Sequence, residues 1–130
     1  MTDALPFRLD PSSGVPLYRQ IIDQVLLGVS DGRLGAGTQL PTVRQLAVDL
    51  AVNLNTVAKA YREMEIRGIV ETHQGTGTFV AAKKPERRPA ERDRALARLV
   101  EGFLSLAAAR GFSADEVAQA LVERTERRKS

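Results

Sequence analysis

Apolar residues recur every third or fourth position over five stretches of this chain, and two shorter stretches have strand character. In the first stretch Leu17, Ile21, Val25 and Val29 recur every fourth residue, with Ile22 and Leu26 widening the stripe. This spacing predicts an amphipathic helix of about four turns, with Pro16 at its first position and its end at Asp31–Leu34. After a Gly35-Ala36-Gly37 loop, Val43, Leu46, Ala47 and Leu50 mark a second helix. Thr42 caps it, with Gln45 three residues later reaching back. The pattern breaks over Ala51, Val52 and Asn53, and Asn53 suits the cap of a third helix. There Val57, Tyr61 and Met64 form the inward stripe, whereas Asn55, Thr56, Lys59 and Arg62 face elsewhere. Arg67-Gly68 supplies a cation in the last turn and a glycine stop. Ile69–His73 and Thr78–Val80 then read as strands around a Gln74-Gly75-Thr76-Gly77 turn. Two helices joined by a short turn, the second with a polar face, describe a helix-turn-helix, and the hairpin behind them is its wing.

The flanks differ in character. Met1–Val15 carries Pro6, Pro11 and a Ser12-Ser13-Gly14 run and reads as an extended arm. Within it Phe7 and Leu9 alternate with Arg8 and Asp10, which suits a short strand or a clip onto the body. Lys83–Asp93 mixes Pro85, Pro89 and dense charge with no large apolar residue, and reads as a solvated linker. From Ala95 helical spacing returns through Leu96, Leu99, Val100, Phe103, Leu104 and Leu106, ending near Arg110-Gly111. Ser113 and Glu116 form a capping box for a last helix through Val117, Ala118, Leu121 and Val122, with Glu126–Ser130 expected to fray. The expected organisation is a winged helix-turn-helix over 1–82, a linker over 83–94 and a two-helix tail over 95–130. The fold class is thus mainly α with one small β-hairpin. Two helices of roughly fifteen residues do not bury both sides of their apolar stripes alone. They call for the winged helix, a second copy of themselves, or both. A second copy is favoured, because a helix-turn-helix gains affinity and site length as a symmetric homodimer.

Composition narrows the function classes. With 43% apolar and 27% charged residues over 130 positions, this is an ordinary globular composition of one small domain with an appendage. The net charge of +3 is modest. A pI near 9.7 suits a polyanionic partner. There is no cysteine, which rules out a disulfide or thiolate metal site, and there is a single histidine, His73. No paired carboxylates with a plausible cleft and no phosphate-binding glycine motif are present, so no catalytic residue, metal or cofactor is expected. Neither a secretory segment nor a long apolar run is visible, and a cytoplasmic location without membrane contact is expected.

A recognition helix enters the major groove with its N-terminal turns nearest the base edges. Asn55, Thr56 and Lys59 are the polar residues there. Asparagine pairs bidentately with adenine, lysine donates to guanine, and threonine reaches a phosphate or a thymine methyl. Asn53 stands at the helix start, where capping and a phosphate contact are equally reasonable. The partner expected from these residues is double-stranded DNA. A winged helix used as a protein adaptor would instead need an acidic or apolar face there.

The ordered runs PLYRQI, LGAGTQLPTVRQLA and VNLNTVAKAYREMEIRGIVETHQGTGTFV resemble the DNA-binding domain of the GntR family of bacterial transcription regulators. With the short helical tail, the chain is most similar to the YtrA-type subfamily. The resemblance implies a regulator, a repressor by type, that binds an inverted-repeat operator as a dimer held by the tail. It also suggests control of a neighbouring transporter operon. It assigns a DNA contact to Arg44, whose alternative is an ion pair with Asp49 or Glu63. In the wing it assigns backbone approach to DNA to Gly75, with Gln74 and Thr76 beside it. His73 is given a structural or exposed role. Two positions depart from the family pattern: Ala58 stands where many members carry arginine, and Leu54 where the subfamily often has proline. The family's usual operator is therefore not carried over. The tail has no room for the metabolite-binding domain of larger relatives. A small-molecule effector, should one exist, is left the dimer interface or the space between tail and winged helix.

Overall fold

The computed structural model describes residues 7–82 and 88–129, except for the side chains of 128 and 129. The chain divides into two compact units, Met1–Ala82 and Lys83–Ser130.

The first unit runs α1 (Leu17–Ser30), α2 (Val43–Leu50), α3 (Leu54–Ile66), β1 (Val70–His73) and β2 (Gly77–Val80). Ile21, Ile22 and Val25 of α1, Leu46 and Ala47 of α2, and Val57, Ala60, Tyr61 and Met64 of α3 converge on one core. Leu34, Leu40, Val70 and Val80 close it from the loops and strands. The burial spacing on α3 is the i, i+3, i+4, i+7 stripe of an amphipathic helix. Pro16 is the cap of α1 rather than its first residue. At the other end Gly28 is buried while Val29 is exposed. The following loop folds back there, and Leu34 N–H donates to the Gly28 carbonyl at 2.9 Å.

The arm clips onto α1. Phe7 and Leu9 pack at the edge of the core. Gln24 accepts from Arg8 N–H at 2.8 Å and donates to its carbonyl. One turn earlier Gln20 does the same for Asp10, at 2.8 and 2.9 Å. Two glutamine amides thus stand in for a strand edge. Met1–Pro6 lies outside the described residues.

The strands pair antiparallel with Val70 opposite Val80 and His73 opposite Gly77. Gly77 therefore begins β2, and the turn is Gln74–Thr76 rather than the four residues expected from sequence. The segment before α2 also joins this sheet: Gln39 bridges Phe79, Leu40 N–H donates to the Thr78 carbonyl and Val80 N–H to the Thr38 carbonyl. The wing is anchored on both sides of the helix-turn-helix.

The second unit is a pair of helices, α4 (Pro89–Ala109) and α5 (Ala114–Lys129). The expected linker over 83–94 is corrected: α4 already begins at Pro89, and residues 83–87 lie outside the described region. Proline is compatible with a first helical turn, where its missing N–H is not needed. Glu91 in that turn pairs with Arg88 at 2.9 Å. Gly111 turns the chain with φ +90°. Ser113 and Glu116 form the complete capping box, with Ser113 N–H to Glu116 Oε1 at 3.0 Å and Glu116 N–H to Ser113 Oγ at 3.1 Å. The helix extends through Lys129, across the residues expected to fray. No helix among the described residues is long and apolar enough to cross a membrane.

Candidate nucleic-acid interface

The outer face of α3 is set by what its inner face buries. With Val57, Ala60, Tyr61 and Met64 inside, helical geometry turns Asn55, Lys59 and Arg62 outward as one exposed polar stripe. Thr56 lies at its flank and is half-buried. Arg62 belongs to this stripe although it was not among the candidate contacts. The i, i+4, i+7 spacing from Asn55 through Lys59 to Arg62 is the signal that identifies it.

The helix start is built by Asn53, whose Oδ1 accepts from Asn55 N–H at 2.7 Å. The capping half of its expected role is thus formed, and the side chain remains exposed. Before it, Ala51 adopts the left-handed conformation at φ +55°, donating its N–H to the carbonyls of Ala47 and Val48. That conformation is what lets three residues swing the chain from α2 into α3.

Arg44 stands exposed in the first turn of α2. Thr42 caps this turn through Oγ1, which accepts from Gln45 N–H at 3.0 Å. Tyr61 ties it to α3, its hydroxyl donating to the Pro41 carbonyl at 2.6 Å. Burial pushes the Tyr61 phenol above the ordinary tyrosine range, so it remains a donor at neutral pH. Arg44 has no ion pair with Asp49 or Glu63 among the described residues.

Gln74, Gly75 and Thr76 form the exposed wing tip. Gly75 takes φ +81°, open to glycine at no steric cost. Behind it, Gln39 Nε2 donates to the Thr76 carbonyl at 3.1 Å. A Cβ at Gly77 would lie 2.5 Å from that same nitrogen, so the glycine leaves room for the Gln39 amide where it makes this bond. His73 is engaged within the wing, its ring 5.4 Å from that of Phe79 and its Nε2 3.9 Å from Glu71. Sequence reasoning did not find Gln39, because its partner is 37 residues away. It also missed Tyr18 of α1, whose ring lies beneath the Lys59 ammonium at 4.2 Å from the centroid.

An outward polar helix face beside a braced glycine wing, with a capped helix before it, gives the layout of a winged helix-turn-helix. Residues 17–80 match the model of the gntR family of bacterial regulatory proteins. The chain is 43% identical over 106 residues to the HTH-type transcriptional regulator Rv1152 of Mycobacterium tuberculosis, covering 82% of this chain and 83% of that one. It is 45% identical over 74 residues to the HTH-type transcriptional repressor YtrA of Bacillus subtilis, covering 57% of each. Among solved structures, AraR(DBD) in complex with operator ORX1 superposes with a TM-score of 0.51 at 28% identity, over 57% of this chain and 92% of that one. The chain belongs to the GntR family and is a DNA-binding transcription regulator.

Proposed function

We propose that the chain is a YtrA-type repressor that binds an inverted-repeat operator as a homodimer. The observation that carries the DNA half of this reading is the exposed Asn55–Lys59–Arg62 stripe opposite the buried face of α3. In this reading Asn55 and Lys59 reach base edges and Thr56 a phosphate or thymine methyl. Asn53 and the free N–H groups at the α3 start favour a phosphate. Arg44 approaches from the α2 start, and the Gln74-Gly75-Thr76 tip lays its backbone against the neighbouring groove or phosphates.

The homodimer rests on the tail. Leu96, Leu99, Phe103 and Leu106 are spaced three, four and three residues apart and are all more than half exposed. That is the a/d repeat of a helix–helix seam. Two open apolar grooves run along the pair: Leu99, Val100 and Ala118 line one, and Leu106, Phe112 and Ala120 the other. A monomer in water does not favour so much exposed apolar surface on two short helices, and a second copy covers it with matching chemistry. Similarity to the B. subtilis repressor supports the subfamily and the repressing role; a neighbouring transporter operon as target is what the subfamily resemblance suggests. A cytoplasmic location follows from a DNA partner. Any effector would lodge at the interface between the two copies.

The test is a footprint on the DNA upstream of the protein's own gene. The expected result is two protected half-sites about one helical turn apart, related by inversion. Binding should weaken steeply with salt as phosphate neutralisation releases counterions. A single protected half-site at saturation, or a flat salt dependence, contradicts the reading.

A further inference from the structure

Lysine is a poor specificity element by itself, since its ammonium is a strongly hydrated point charge on a flexible four-carbon stem. Lys59 is exposed on the outer stripe of α3, and nothing on its own helix restrains it. Among the described residues it forms no ion pair with a carboxylate. What it does touch is on another helix. Its Nζ sits over the Tyr18 ring, 4.2 Å from the centroid, within the range of a cation–π contact. Tyr18 is half-buried in the first turns of α1 and packs against the core. The ring is thus fixed by the fold, while the ammonium it faces is not.

We propose that Tyr18 is a positioning residue for DNA reading: its ring face holds the Lys59 ammonium on the α1 side of the recognition helix and so fixes which base pair Lys59 addresses. This rests on the reading that Lys59 faces base pairs. Only the ring face is used, so the hydroxyl of Tyr18 is not required. The ring lowers the number of positions open to the ammonium before DNA arrives, and less freedom is lost on binding. A cation–π contact at an exposed site corresponds to about two- to fivefold in preference.

The experiment is selection of bound sequences from a randomised duplex library by the full-length protein, its Lys59→Met variant, and its Tyr18→Phe and Tyr18→Leu variants. Thermal melting of each protein accompanies the selection. Lys59→Met should flatten the base preference at one base pair of each half-site. Tyr18→Leu should lower the preference at that same pair about two- to fivefold and leave the others unchanged. Tyr18→Phe should match the wild type, which separates positioning from folding even where Tyr18→Leu lowers the melting temperature. Three outcomes overturn the proposal. The first is an intact preference at that pair in Tyr18→Leu. The second is an even loss of binding at all positions in Tyr18→Phe, as loss of a hydroxyl–phosphate contact would cause. The third is an unchanged motif in Lys59→Met, in which case the base-reading role of Lys59 fails first and Tyr18 has nothing to position.

Discussion

The two units of this chain bury their apolar residues differently. In the winged helix, residues from three helices, two strands and the loops close on one core, and Ile21, Val25, Val57, Ala60 and Met64 are fully enclosed. In the tail only Ala107 is buried among the described residues, while Leu99 remains 71% exposed and Phe103 54%. The first unit contains within itself what its apolar pattern requires. The tail has the same helical periodicity and a complete capping box, yet most of its stripe residues stay exposed within the pair. Local sequence rules therefore suffice to form its helices but not to complete a core. This contrast is the ground on which the proposed pairing through the tail rests.

The contrast breaks most readily at Met64. Truncation to alanine should destabilise the winged helix by about 2–5 kcal/mol in denaturant titration, because its side chain is fully enclosed. That loss should not depend on protein concentration. The tail should behave in the opposite way, with Leu99→Ala shifting a melting temperature that rises with concentration. A concentration-independent tail transition would erase the distinction.

Next in size are the contacts to DNA. Arg44→Ala and Lys59→Ala should each weaken operator binding by about 1–3 kcal/mol at fixed salt, with the melting temperature unchanged. Full affinity in both would mean that α3 docks another way. Gly77→Ala should cost about 1–3 kcal/mol of stability, since φ +138° disfavours a side chain, while the exposed Gln39 side chain swings away from the new Cβ. Its oligomeric state in sedimentation should match that of the wild type, because the strain is confined to the first unit.

The smallest effect concerns Tyr61. Its folded pKa is raised by burial, so the neutral phenol stabilises the fold fully below the ordinary value of about 10. That contribution is lost as pH rises from there toward the folded pKa. Tyr61→Phe should lose about 0.5–1.5 kcal/mol at neutral pH, and the difference from wild type should shrink in alkaline urea titrations. A constant difference between pH 8 and 11 would show that the hydroxyl is not sequestered.

Much of this was readable in the sequence where the cause is local. Thr42 and Ser113 announced their helices through capping chemistry, and the inward stripe of α3 followed from spacing alone. Boundaries governed by competing tendencies were harder. Pro89 and the charges around it look like a linker, but proline at a helix start and pairing across one turn permit α4 to begin there. Contacts between distant residues carried no local signal at all. Gln39 braces the wing across 37 residues, and Tyr18 meets Lys59 across two helices. A clip of the arm was among the expectations, but Gln20 and Gln24 as its partners were not, since a glutamine on an exposed helix face has no preferred partner until the fold brings one.

The most direct measurement of the division of labour compares one half-site with the full inverted repeat, using the Leu99→Glu/Phe103→Glu protein. Charge at these two exposed positions leaves the winged-helix core untouched and places unpaired carboxylates in the proposed seam. The variant should bind the half-site as a wild-type protomer does and lose the gain in affinity from the second half-site, on the order of a hundredfold or more. Retention of the full inverted-repeat preference by this variant would contradict the assignment of pairing to the tail.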